Sequence, residues 1–167
     1  AGQGIGFECV SRGEIEHLRA SVPQLVPARI LFTPNFAPRE EYAWALEQGV
    51  TVNIDNLYVL REWGELFRGR SVFIRIDTGT GRGHHQHVRT AGAHAKFGIP
   101  ADEIEDLVRL ADRHGVSVIG LHAHSGSGIF DAHNWSQAAA QLLQLAPRFP
   151  QLQVINVGGG LGVSDGH

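Results

Sequence analysis

The sequence predicts an α/β fold with a parallel sheet, and three observations lead there. Short apolar runs rich in Val and Ile recur along the chain, each is closed by Pro, Asn, Asp or Gly, and a stretch of helical periodicity follows each turn. About six strands with five helical crossovers result, at the pitch of roughly 30 residues expected of a βαβ unit. A closed (β/α)8 barrel needs ~250 residues, so 167 allow either a doubly wound open sheet or about three quarters of a barrel. No linker or low-complexity tract divides the chain, so one domain is expected.

The elements follow in order. IGFECV (5–10) reads as the first strand, with Ser11 as N-cap and Glu14 at the capping-box position of a helix through EIEHLRA. RILFT (29–33) is the second, Pro34 and Asn35 turn the chain, and PREEYAWALEQG carries Pro38 at N1 and Gly49 at C′. TVNI (51–54) is short and β-branched. Asp55 or Asn56 caps the helix after it, whose periodic positions are Leu57, Leu60, Trp63, Leu66 and Phe67. SVFIRI (71–76) is the clearest strand. Residues 77–98 then lack periodicity, and an interval of that length in a compact domain marks function or disorder. PADEIEDLVRLADRHG (100–115) has Pro100 near its start, acids early and Gly115 at its end, all helix signals. VSVIGL (116–121), a helix over 131–146 and LQVINV (152–157) complete the series before GGGLG.

Composition narrows the partners. With 43% hydrophobic and 19% charged residues the chain can bury an ordinary core, which argues against disorder. A net charge of -3 without a run of Lys or Arg offers no footprint for nucleic acid or an anionic membrane, leaving small molecules or protein. Cys9 stands alone, so no internal disulfide forms, and no signal peptide or apolar span is visible; a cytoplasmic protein is the default expectation. The chain has no Met and begins at Ala1, which suggests an excised piece or mature form, and its only lysine is Lys96.

In both architectures ligands bind beyond the carboxyl ends of the strands. The residues at those ends are Glu8 with Cys9, Asn35, Asp55, Arg75 with Asp77, His122 with His124 and Ser127, and Gly158, Gly159 and Gly160. A glycine triplet after a strand frees successive backbone N–H groups to grip a phosphate; the other reading is a flexible turn. The Rossmann spacing is not met, and TGTGRG (78–83) lacks a P-loop's lysine and flanking helix, so it reads as a mobile loop. His122 and His124 fall on one side if the strand extends through them, as zinc ligands would, and His84, His85, His87 and His94 lie in the long interval; yet no other strand end carries histidine. An uncharged structural histidine is a second reading. In a third, Ser127 with its glycine neighbours and Gly158–Gly160 hold one phosphate from adjacent strands, with the flat ring of His124 beside it. That arrangement predicts a phosphorylated planar cofactor, flavin or pyridoxal phosphate.

Four motifs sharpen this: GFECVSRGEI (6–15), RIDTG with HVRTAGAHAKFGI (75–99), GLHAHSGSGIFD (120–131) and NVGGGLG (156–162). Spanning nearly the whole chain, they resemble the barrel domain of the fold-type III pyridoxal-phosphate decarboxylases. GLHAHSGSGIFD and KFGI resemble the branch acting on meso-diaminopimelate more than the ornithine and arginine enzymes, and TPNF with RGHHQHVRTAG resembles a form fused to an aspartate kinase. The resemblance implies a partial (β/α)8 TIM barrel of the alanine racemase-like kind. It also implies pyridoxal 5′-phosphate as cofactor, with His124 stacked on its ring and Ser127, Gly158, Gly159 and Gly160 on its phosphate. Glu8 falls where the family has an aspartate near the Schiff-base lysine, while Glu14 and Arg75 match positions bordering the active site; for these three a structural ion pair or cap is the competing reading.

The sequence also departs from the pattern. The family's cofactor lysine precedes GIGFECV, and Lys96 is not its counterpart; the closing strands, the acidic partner of the pyridine nitrogen and a second β-rich domain have no match here. The expectation is a fragment inactive by itself. Its parent would be a homodimeric carboxy-lyase converting meso-diaminopimelate to L-lysine and CO₂, a step of lysine biosynthesis. The rivals are an ornithine- or arginine-type decarboxylase, a non-catalytic pyridoxal-phosphate protein of a single barrel, and a metal-dependent barrel hydrolase.

Overall fold

The computed structural model describes residues 5–79 and 97–163, so the loop histidines and Lys96 lie outside the described residues. Its strands are β1 (Phe7–Cys9), β2 (Ile30–Phe32), β3 (Thr51–Ile54), β4 (Ser71–Asp77), β5 (Ile99–Pro100), β6 (Ser117–His122) and β7 (Val154–Asn156). Every pairing is parallel, in the order β1-β2-β3-β4-β6-β7, with the two-residue β5 added to the carboxyl end of β4. The order advances one way without the reversal that defines a doubly wound sheet, and right-handed crossovers then place all helices on one face. The sheet is a partial (β/α)8 barrel, and the open-sheet alternative falls.

The helices are α1 (Arg12–Ser21), α2 (Arg39–Glu47), α3 (Leu57–Trp63), α4 (Ile104–His114) and α5 (His133–Leu145). Ser11 caps α1 by accepting the Glu14 N–H at 3.2 Å. Glu14 in turn accepts the Val10 N–H at 2.7 Å, one residue earlier than a regular capping box. Asn56 caps α3, and Gly49 ends α2 at φ 72°. Pro38 sits at the N-cap of α2 and not at N1. Pro100 does not open α4: it belongs to β5, and a 3₁₀ turn over Ala101–Glu103 intervenes. The short β5 and this turn escape sequence periodicity because neither is long enough to repeat.

Alternation along the strands divides the side chains between two faces. Val72, Ile74 and Ile76 of β4 are buried under the helices, where Ile15, Phe32, Leu60, Phe67, Leu107, Leu121 and Leu142 complete the core. Tyr42 lies at its centre, with ring centroids 5.9 to 6.3 Å from Phe67, Trp63 and Phe32. The concave face carries an apolar layer, Leu31, Phe73, Ile119 and Val154, around an open cavity of about 500 Å³. Above it, toward the carboxyl ends, stands a polar layer.

An irregularity in β6 decides what that layer contains. Val72 pairs with Val118 but Phe73 pairs with Gly120, so Ile119 is an extra residue, a β-bulge. The bulge restores Gly120 and His122 to the same face as Phe73 and Arg75. Gly120 is required there, because a Cβ would lie 2.5 Å from the Phe73 ring.

Candidate active site

The polar layer is a connected chain of side chains drawn from four strands and from the residue after a fifth. Asn53, fully buried, donates its Nδ2–H to Thr33 Oγ1 at 3.3 Å and lies 2.6 Å from His122 Nδ1. His122 Nε2 faces Glu8 Oε1 at 3.8 Å, and Asn156 Nδ2 donates to the other carboxylate oxygen, Glu8 Oε2, at 3.1 Å. Asn156 Oδ1 accepts the Gly158 N–H at 2.9 Å. The chain therefore runs from the end of β2 into the glycine turn.

Burial lowers the basicity of both imidazoles. Burial pushes the pKa of His122 down to about 4, with the Arg75 guanidinium and His124 adding to the effect and the Glu8 carboxylate opposing it. His124 is lowered in the same direction, by burial first and Arg75 next. Arg75 donates to Asn35 Oδ1 at 3.0 Å and lies 5.1 Å from the Phe97 ring centroid, a cation–π contact. Burial raises the Asp55 carboxyl, while a hydrogen bond from Asn56 at 2.8 Å and the nearby Arg75 offset part of that rise. Phe36, exposed at the rim, packs on Phe97 at 5.2 Å and holds φ 55°, the one non-glycine in the left-handed region among the described residues.

The serine-bearing and all-glycine turns interlock. Ile129 N–H donates to Gly160 O at 2.9 Å, and Gly162 N–H returns to Ile129 O at 2.8 Å. A Cβ on Gly160, at φ 94°, would fall 1.9 Å from Gly126 O. One on Gly158, at φ 72°, would fall 2.7 Å from Ala123 O and 2.9 Å from His124 Nδ1. At Gly159 nothing stands within 4 Å, so the middle of the triplet opens outward. Trp135 of α5 donates its indole N–H to Gly159 O at 3.3 Å. Where the two turns meet, Gly158 and Gly160 leave no room for a side chain, and the His124 imidazole stands against Gly158. A phosphate-sized anion fits those features.

Of the residues singled out from sequence, Glu8, Arg75 and His124 converge on the concave rim, and Ser127 with Gly158–Gly160 form the double turn. Glu14 stands apart: its carboxylate closes the N-terminus of α1 at Val10, where its charge helps raise the buried Cys9 thiol. Asn53, Thr33, Asn156, Phe36 and Phe97 were not singled out. The first had a signal, since an amide in the middle of a β-branched strand must find a partner if buried. Among the described residues no three His, Cys, Asp or Glu side chains group closely enough to hold a metal ion.

A partial barrel whose carboxyl rim carries two interlocked glycine turns beside an imidazole is the kind of barrel that can hold a phosphorylated cofactor. Within that class, the pyridoxal binding domain model of the pyridoxal-dependent decarboxylases matches residues 1–167, and the chain belongs to that family. It is 35% identical to diaminopimelate decarboxylase of Methanothermobacter thermautotrophicus over 167 residues, covering 96% of this chain and 39% of that protein. A crystal structure of diaminopimelate decarboxylase superposes with TM-score 0.83 at 32% identity over 99% of this chain and 40% of the other. The Helicobacter pylori diaminopimelate decarboxylase complexed with L-lysine gives TM-score 0.82 at 25% identity, over 97% and 43%. The chain thus spans about two fifths of the length of these relatives.

Proposed function

We propose that this chain supplies the cofactor-binding barrel of an enzyme that decarboxylates meso-diaminopimelate to L-lysine and CO₂. The observation that carries the reading is the interlock of the two turns, which brings the backbone of Gly126 and Ser127 against Gly160 and the His124 ring against Gly158. Ser127 and the backbone amides of both turns would hold the phosphate of pyridoxal 5′-phosphate, and His124 would lie against its ring. When bound, the cofactor supplies the electron sink that loss of CO₂ requires.

The remaining work falls to this chain's own groups. Burial first, and Arg75, held by Asn35 and Phe97, in addition, lower the basicity of His122 and His124. Glu8 holds a carboxylate at the mouth above the apolar layer, with Asn156 fixing one oxygen. Since the relatives are about two and a half times as long, we place the cofactor lysine, the closing strands and a second domain outside residues 1–167. The working form we propose is a cytoplasmic homodimer; among the described residues no helix is long and apolar enough to cross a membrane.

The test is CO₂ release by the full-length protein with pyridoxal phosphate, offered meso-diaminopimelate, L-ornithine, L-arginine and L-lysine in turn. Release from meso-diaminopimelate at least tenfold faster than from the others supports the substrate. Preference for ornithine or arginine overturns it.

A further inference from the structure

We propose that His122 is a positioning residue that holds the Glu8 carboxylate in place, and that Asn53 selects the ring tautomer that lets it do so. The inference rests on the functional reading above only in making Glu8 part of an active site; the geometry stands apart from it.

His122 reaches the concave face because the Ile119 bulge resets the alternation of β6. It is 2% exposed, too deep to lie against a ligand at the rim. An amide N–H is a donor only, so Asn53 Nδ2, 2.6 Å from His122 Nδ1, requires a lone pair on Nδ1 and leaves the hydrogen on Nε2. That N–H faces Glu8 Oε1. The spacing of 3.8 Å exceeds a hydrogen bond, but it is an attraction that an approach of about 1 Å would convert into one. Turning the Asn53 amide over would give Oδ1, which has no partner among the described residues, the Nδ1–H of the other tautomer. It would also aim the Nε2 lone pair at a carboxylate, and that repulsion favours the first orientation.

Thr33 anchors Asn53, and Asn156 clamps the second Glu8 oxygen while receiving the Gly158 N–H. Glu8 is therefore held between β6 and β7 and tied to the glycine turn. The charged or titratable groups facing His122 are Glu8 on β1, Arg75 on β4 and His124 beyond β6.

Two measurements on the full-length enzyme test this. Nitrogen NMR of histidine-labelled apoenzyme at pH 7, with His122 assigned by its loss in His122→Gln, should show the Nε2–H tautomer, and Asn53→Asp should shift it to Nδ1–H or to imidazolium. A wild-type Nδ1–H tautomer or imidazolium overturns the proposal. In the loaded enzyme, His122→Phe should lower kcat about tenfold with KM within twofold. His122→Gln, which keeps a donor, should restore part of that loss. In a Glu8→Gln background, His122→Phe should cost less than twofold more; losses that multiply would show that His122 does not act through Glu8 and overturn the proposal. If His122→Phe does not fold, the NMR result alone decides. If the wild type releases CO₂ from no amino acid, the functional reading falls and the tautomer result still decides this one.

Discussion

At the scale of single residues, the three glycines of the triplet are not equivalent. Gly160→Ala must place a methyl where Gly126 O already stands and must hold a left-handed φ, whereas Gly159→Ala meets nothing. Titration of pyridoxal phosphate by visible absorbance should give a Kd raised on the order of a hundredfold for Gly160→Ala, but less than threefold for Gly159→Ala. Equal losses would show that the turn does not form the cradle. His122 makes a second prediction, through pH. Its folded pKa of about 4 lies below the ordinary value near 6.5, so below pH 6.5 the unfolded chain binds a proton that the folded protein refuses. Stability should fall with pH from 6.5 toward 4, by on the order of 3 kcal/mol in full, and level off below. Asp55, raised by burial, acts in the opposite sense above its ordinary value, where the unfolded chain has released a proton that the folded protein still holds. Urea unfolding of the full-length protein between pH 7 and 4 would show the slope, and His122→Phe should flatten it.

At the scale of elements, most of the site was legible because strand ends and turn chemistry are local signals. Ser11, Asn56 and Gly49 behave as caps within a few residues of themselves, and the glycine triplet and the serine turn each announce a tight turn. What could not be read is parity across the sheet. The bulge at Ile119 leaves no mark in VSVIGL, yet it turns His122 onto the concave face where Asn53 and Glu8 meet it. The same blindness hid the Phe36–Phe97 pair, which joins residues 61 apart in sequence through a rim contact. Glu14 shows a local signal at work, since its carboxylate accepts the Val10 N–H beside the N-terminus of α1, one residue from the capping-box position. The bulge also sets how closely β4 and β6 approach. Gly120→Ala should destabilise the protein by about 2 kcal/mol, as overpacking against the Phe73 ring forces a shift. Phe73→Leu should relieve part of that loss, and thermal unfolding of both single variants and the double would reveal it as non-additivity.

For the whole molecule, the consequence of a partial barrel is that its sheet has ends. Among the described residues β1 and β7 are the outer strands, each three residues long with one side of its backbone unpaired, and an open apolar edge invites pairing with another chain. Val154 on β7 is half exposed, and Phe130, Leu161 and Val163 nearby are more so, forming an apolar margin beside the glycine turn. In relatives about two and a half times as long, this margin and the open cavity have the rest of the protein available to cover them. Residues 1–167 expressed alone should therefore self-associate without a fixed size and bind a hydrophobic dye, while the full-length protein should elute as a discrete dimer that leaves the dye unbound. Light scattering after size exclusion checks this directly. A charge on the edge strand tests the cause: Val154→Lys places an ammonium on the concave face of β7, where a second chain's strand would have to bury it, and should move the fragment toward monomer. A fragment that elutes as a dye-negative monomer without that change would mean that the edge is already protected, and the margin at β7 would then need no covering segment.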